Sequence, residues 1–135
     1  MKVLNLHCST FSYNTVKPTP VAVGNANEGV FDNVMVCLTS FEKSDEGRVS
    51  EIVESFKKNL LVDFSRIKFS TVLLYPYAHL SKSLGSPRKA VEFLELLKES
   101  LNDCEFKVES SPFGWYKSWE MSCKGHPLAE AFREY

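Results

Sequence analysis

From Trp115 to Lys124 the chain alternates in character. Trp115, Lys117, Trp119, Met121 and Cys123 fall on one side of an extended segment, and Tyr116, Ser118, Glu120, Ser122 and Lys124 on the other. An ammonium among two tryptophans and a methionine must snorkel to water or meet an acceptor, since burying it unpaired is costly and depresses its pKa. A second reactive stretch is Tyr75 to Leu80, YPYAHL, which carries His79. Strand-end geometry could gather His79, Tyr116, Lys117, Lys124, His126 and Glu130 into one place. These residues make no nucleophilic triad: there is no G-x-S-x-G elbow, and no serine or cysteine is spaced to pair with a base. The six glycines are scattered, so no phosphate loop is present. Metal binding has little support, with no CxxC and no histidines at ligand spacing. An apolar wall with a lysine, one or two histidines and a carboxylate suits a small polar ligand or a positioned water. A structural or binding role and a catalytic one both stay open on this chemistry.

The elements that must position these residues follow from periodicity. Met1 to Cys8 predicts a strand with Leu4, Leu6 and Cys8 on one face, and Phe11 to Lys17 a second, edge strand stopped by Pro18 and Pro20. His7 is expected as an ordinary histidine on a sheet face. After a loop from Val21 to Gly29, the apolar run Val34 to Leu38 predicts a strand covered on both faces. Ser44 to Gly47 is turn material, and Val49, Ile52, Val53, Phe56 and Leu60 recur at helical spacing. Phe69 to Tyr75 is a further buried strand. It delivers Pro76, Tyr77, Ala78 and His79 just past its carboxyl end, where ligands collect in α/β sheets. Ser86 and Pro87 form an N-cap and first-turn pair for a helix with Ala90, Val91, Leu94, Leu97 and Leu101 on one face. Phe106 and Val108 open a short strand before the tryptophan strand, and AEAFREY, residues 129–135, reads as a helix. The pattern predicts an α/β fold, a mixed β-sheet with two main helices.

With 135 residues the chain fits one domain with a sizeable core, taken as 1–135. No apolar run spans a bilayer and the N-terminus carries no signal peptide, so a cytoplasmic protein without a membrane is expected. The four cysteines are widely spaced and expected as buried free thiols. A net charge of −1 argues against a binder driven mainly by attraction to phosphates.

Two long segments carry a family likeness. YPYAHLS, residues 75–81, and PFGWYKSWEMSCKGHPLAE, residues 112–130, closely resemble the N-terminal editing domain of archaeal threonyl-tRNA synthetases, a relative of the D-aminoacyl-tRNA deacylase fold. KVLNLHCSTFSY at residues 2–13 and SFEKSDE at 40–46 fit the same family in place and character. Tryptophans stand at 115 and 119 where the family often has tyrosine or phenylalanine, which keeps the face aromatic. The resemblance implies hydrolysis of L-serine wrongly esterified to threonine tRNA, with the 3′ end of that tRNA as partner and a homodimer as the assembly. Lys117 and Tyr116 would contact the aminoacyl end, His79 would lie beside the substrate, and Glu130 would orient the lysine or the amino group. Backbone atoms of Pro76 and Ala78 would position adenosine or water, and Phe41, Ala90 and Phe113 would line the adenosine side. Main-chain groups and the ribose 2′-hydroxyl would activate the water. No cofactor is implied for this domain, since zinc and ATP belong to a synthetase catalytic domain where a parent chain has one. The resemblance casts 1–135 as part of, or a companion to, such a longer protein. Two rivals are a D-aminoacyl-tRNA deacylase and a non-catalytic tRNA-binding or dimerisation module.

Overall fold

The computed structural model describes residues 1–135. Six strands form one mixed sheet. The longest, β1 (Lys2–Pro18), pairs antiparallel with β2 (Glu28–Ser40). On the far side of β2 lie β3 (Thr71–Pro76) and then β4 (Lys107–Ser110), both parallel. The other edge of β1 is shared by β5 (Trp115–Cys123) along its second half and β6 (Glu130–Glu134) along its first.

The parallel pairs need crossovers, and the two helices supply them. Helix α1 (Val49–Arg66) joins β2 to β3 and buries Ile52, Phe56 and Leu60. Each such side chain contributes roughly 1.5–3 kcal/mol. Helix α2 (Pro87–Ser100) joins β3 to β4; the Ser86 hydroxyl accepts from the Lys89 amide, and Pro87 at the first turn loses no bond. Both helices pack on one face of the sheet, against Val3, Met35, Cys37, Val72 and Leu74. On the opposite face Leu6, Cys8, Val34, Val36, Leu38, Leu73 and Tyr75 meet Phe11 and Tyr13 from the far half of β1.

That second cluster shows that β1 bends. Tyr75 is opposite Leu38 and Leu38 is opposite Leu4, yet the Tyr75 ring lies 5.8 Å from Phe11 and 6.0 Å from Tyr13. The expected pair of strands is therefore one strand, central rather than at an edge. Its inward side chains run Leu4, Leu6, Cys8 and then Phe11, Tyr13, a slip of one residue, and the pairing with β5 skips between Cys8 and Thr10. A bulge changes the phase and sharpens the bend without breaking the strand.

Three other expectations change. AEAFREY is not a helix: Glu130–Glu134 is β6, because Lys2 to Leu6 would otherwise leave an unpaired edge. Arg133 reaches under the sheet to grip Asp63 with two hydrogen bonds of 2.6 and 2.8 Å. Cys8 and Cys37 are buried free thiols, while Cys104 and Cys123 are only half-buried. The apolar face of β5 is covered in part, with Trp119 37% and Met121 49% exposed.

Candidate functional site

Two motifs nearly forty residues apart in sequence meet at the carboxyl end of β3. Tyr75 and Tyr77 leave that strand on either side of Pro76, and Trp119 of β5 lies against both. Its ring is stacked at 5.6 Å from Tyr75 and 5.8 Å from Tyr77, with interplanar angles of 28° and 29°. His79 continues the row, edge-on to Tyr77 at 5.1 Å. At the other end Lys117 places its Nζ 4.7 Å from the centre of the Tyr75 ring. Phe11 braces the stack edge-on to Tyr75 and Trp119. Aromatic contacts of this kind contribute about 0.5–1.5 kcal/mol each beyond their buried area.

Lys117 finds an acceptor without leaving this face. Its ammonium donates to the Pro112 carbonyl at 2.7 Å, and no carboxylate pairs with it. Burial lowers its pKa to about 8, so it is a cation held at a desolvation cost, with two N–H groups unused. The segment that supplies the carbonyl is firmly built. Gly114 has φ +75°, and a Cβ there would stand 2.6 Å from the Val21 carbonyl oxygen. Thr19 and Val23 donate to the carbonyls of Gly114 and Phe113 at 2.9 and 3.0 Å. The Pro-Phe-Gly turn is thereby clamped beneath the 19–23 loop.

A pocket opens on the helix side of the same strand end. Phe41, Pro76, Ala90 and Phe113 line it together with Thr39, Phe93 and Leu94. Four of the five residues expected to bind substrate thus share one depression; Ala78 lies exposed in the adjoining turn, Ala78–Leu80. The volume is about 20 Å³, room for one water, so a larger group would lie across its mouth. The pocket meets the aromatic row twice, at Pro76–Tyr77 and at Pro112–Phe113. Ser111, just before this turn, is 3% exposed and its hydroxyl has no partner. No spacing signal in the sequence marked it.

The other candidates are placed differently. Tyr116 is 64% exposed and projects from the opposite face of β5 to Lys117. Glu130 heads β6 opposite Leu6, whereas Lys117 is opposite Thr15, nine positions along β1. Neither side chain makes a hydrogen bond within the chain, and Lys117 is oriented by Pro112 and Tyr75 rather than by Glu130.

Lys124 and His126 join a separate, part-buried network. His126 Nδ1 accepts from the Leu128 amide at 3.2 Å, which assigns the proton to Nε2, the atom 2.8 Å from His7 Nδ1. His7 Nε2–H is then left to donate to Asn33 Oδ1 at 3.0 Å, an oxygen that also accepts from Lys124 Nζ at 2.6 Å. Asn33 holds this place with φ 45°, a left-handed conformation that asparagine tolerates. His7 is 3% exposed, and its burial, with Lys124 and His126 nearby, lowers its pKa despite the Asn33 bond. The network ties the chain after β5 to β1 and β2.

The arrangement can therefore offer a desolvated cation, aromatic faces, an exposed imidazole and main-chain groups at a strand end. No three His, Cys, Asp or Glu side chains are grouped to hold a metal ion, and no helix is long and apolar enough to cross a membrane.

Comparison with known proteins converges on one family. A family model described as the archaea-specific editing domain of threonyl-tRNA synthetase matches residues 1–135. A threonine–tRNA ligase of Methanobrevibacter smithii is 42% identical over 98% of this chain, which covers 22% of that protein. A threonine–tRNA ligase editing subunit of Saccharolobus solfataricus is 39% identical over 98% of the chain and 34% of its own length. The chain thus spans about a fifth to a third of the curated relatives it matches. Among solved structures, a c-Myc DNA unwinding element binding protein superposes with a TM-score of 0.67 over 100% of this chain and 99% of its own; at 11% identity this shows a shared fold alone.

Proposed function

We propose, from the premise that this chain belongs to the archaea-specific editing domain family of threonyl-tRNA synthetase, that it hydrolyses the ester between L-serine and threonine tRNA and spares the threonyl ester. The observation that carries the reading is the meeting of Lys117 and His79 through Tyr75, Trp119 and Tyr77, beside a pocket lined by Phe41, Pro76, Ala90 and Phe113.

Serine is threonine less a methyl, a difference worth only ~1–3 kcal/mol in a binding pocket, so a second site is required to sort them. The terminal adenosine would lie across the mouth of the small pocket, with Phe113 and Phe41 as its apolar floor. That placement directs the ester towards the aromatic row. Water adds to the ester carbonyl, charge develops on the carbonyl oxygen, and the intermediate collapses with release of the ribose 3′-oxygen. The free N–H groups of Lys117 suit that developing charge, in a setting already poor in water. The main chain around Pro76 and Ala78 and the ribose 2′-hydroxyl position and activate the water. Tyr116 and Glu130, without partners in the chain, contact the RNA end or a second copy in a homodimer.

The test is single-turnover deacylation of seryl-, threonyl- and D-aminoacyl-tRNA. The seryl ester is expected to be cleaved at least ~10-fold faster than the threonyl ester, the factor given by about 1.4 kcal/mol of discrimination. Equal rates on the two would overturn the reading. Preference for the D-aminoacyl ester would show the rival deacylase, and no cleavage of any would show a binding module.

A further inference from the structure

We propose that Cys8 and Cys123 form a reversible oxidation site that closes an intramolecular disulfide when the protein meets a peroxide. The two residues are direct partners in the β1–β5 ladder. The Lys124 amide donates to the His7 carbonyl at 2.8 Å, a bond that flanks the pair. It makes Cys8 and Cys123 a non-hydrogen-bonded pair, the type whose Cα atoms stand about 4.5 Å apart with side chains on the same face and close together. A disulfide needs Cα atoms roughly 4.4–6.8 Å apart, so the bond can form without backbone movement.

The thiols face each other and differ in access. Burial, and then the neighbouring Cys123 thiol, push the Cys8 thiol up to about 12, which makes it a poor starting nucleophile. Cys123 is half-buried at the end of β5. Its thiol makes only long contacts with the carbonyl oxygens of His7, Lys124 and Ala129, at 3.7–3.8 Å. Cys123 is therefore the sulfur that peroxide reaches. Its sulfur attacks one peroxide oxygen, giving the sulfenic acid and one water as the O–O bond breaks. Cys8 sulfur then displaces the sulfenic oxygen, its proton leaves with that oxygen as a second water, and the S–S bond forms. Two thiols are oxidised and one peroxide is reduced; a dithiol reductant reverses the bond.

Neither remaining cysteine can substitute. Cys37 faces the helices, on the opposite side of the sheet from Cys8, and Cys104 lies beyond α2. Closure would pin the bend of β1 to the end of the strand that carries Trp119 and Lys117.

The experiment treats the reduced protein with hydrogen peroxide, removes the peroxide, unfolds the protein in denaturant, blocks free thiols by alkylation, and reads intact mass and non-reducing peptide maps. The expected product has lost two hydrogens, keeps two of its four thiols alkylatable, and yields a peptide linking positions 8 and 123 that disappears on reduction. Cys123→Ser should abolish that product. Cys8→Ala should instead leave Cys123 as a sulfenic acid trapped by a 1,3-dione. Should the variant at buried Cys8 fail to fold, Cys123→Ser at the half-exposed position decides alone. Four thiols still alkylatable, a bridge to Cys37 or Cys104, an intermolecular bridge, or Cys123 passing straight to sulfinic acid in the wild type would each overturn the proposal.

Discussion

Replacing Lys117 by methionine separates a residue held for function from one held for stability. The ammonium donates one hydrogen bond to the Pro112 carbonyl and sits over the Tyr75 ring. Loss of the two costs about 2–4 kcal/mol in all. Against that stands desolvation, which moves its pKa from 10.5 to about 8. At about 1.4 kcal/mol per pKa unit this is a penalty of order 3 kcal/mol on the charged form, reduced to about half by the water that still reaches the side chain. Methionine fills similar volume, so Lys117→Met is expected to leave the melting midpoint within a few degrees of wild type. Deacylation of seryl-tRNA should nonetheless fall about 10²–10³-fold, the usual effect of removing one donor to a developing oxyanion. The pH dependence gives an independent reading. Between pH 8 and 10.5 the unfolded chain holds a proton on this lysine that the folded chain has released, so stability should rise with pH across that window in the wild type and not in the variant. The enzymatic contribution of the cation should fade above about pH 8 in the same variant-dependent way. A sharp drop in midpoint with the rate per folded molecule unchanged would refute the reasoning and make Lys117 a structural residue.

Three further outcomes follow from the same geometry. If the 2′-hydroxyl assists the water, seryl-tRNA ending in 2′-deoxyadenosine should be inert and His79→Ala only modestly slowed; a side-chain base would instead cost about 10²–10⁴-fold at His79 and leave the deoxy substrate active. Asp63→Ala should destabilise the fold by roughly 2–4 kcal/mol in urea melts, because it strands the Arg133 guanidinium beneath the sheet, and an unchanged midpoint would show the pair to be dispensable. Acidification should also weaken the fold: the lowered pKa of His7 means the unfolded chain takes up a proton first, so the stability present above about pH 6.5 is lost as pH falls towards the folded value. Because burial is the main cause of the shift, His7→Gln should flatten this acid limb of a melting-midpoint profile, and a limb unchanged in that variant would assign it to other groups.

What the amino-acid sequence alone determines here is local or carried by motif. Residues three and four apart on a helix share a face whatever surrounds them, so both helices, and the Ser86–Pro87 start of the second, were plain. The buried runs of β2 and β3 and the alternation of β5 were equally visible, as was the family likeness at residues 75–81 and 112–130. Pairing across the sheet decided the rest. The change of phase at Ser9 reads in sequence as a strand break, but β5 pairs across it with the extra residue bulged on β1, and the last residues, helical in character, are drawn into the ladder by the free edge of β1. Side-chain partnerships obey the same logic. The alternation placed Lys117 among aromatics, but only the bend of β1 brought Tyr75, Trp119 and Tyr77 into one stack beside it. His7 and His126, 119 residues apart, looked like unrelated histidines, and their shared proton exists only because the chain after β5 returns to β1. Short-range periodicity is written in neighbouring residues, whereas which edge a strand joins depends on every other strand competing for it; the sequence could name the reactive residues, and the tertiary pairing determined which of them meet.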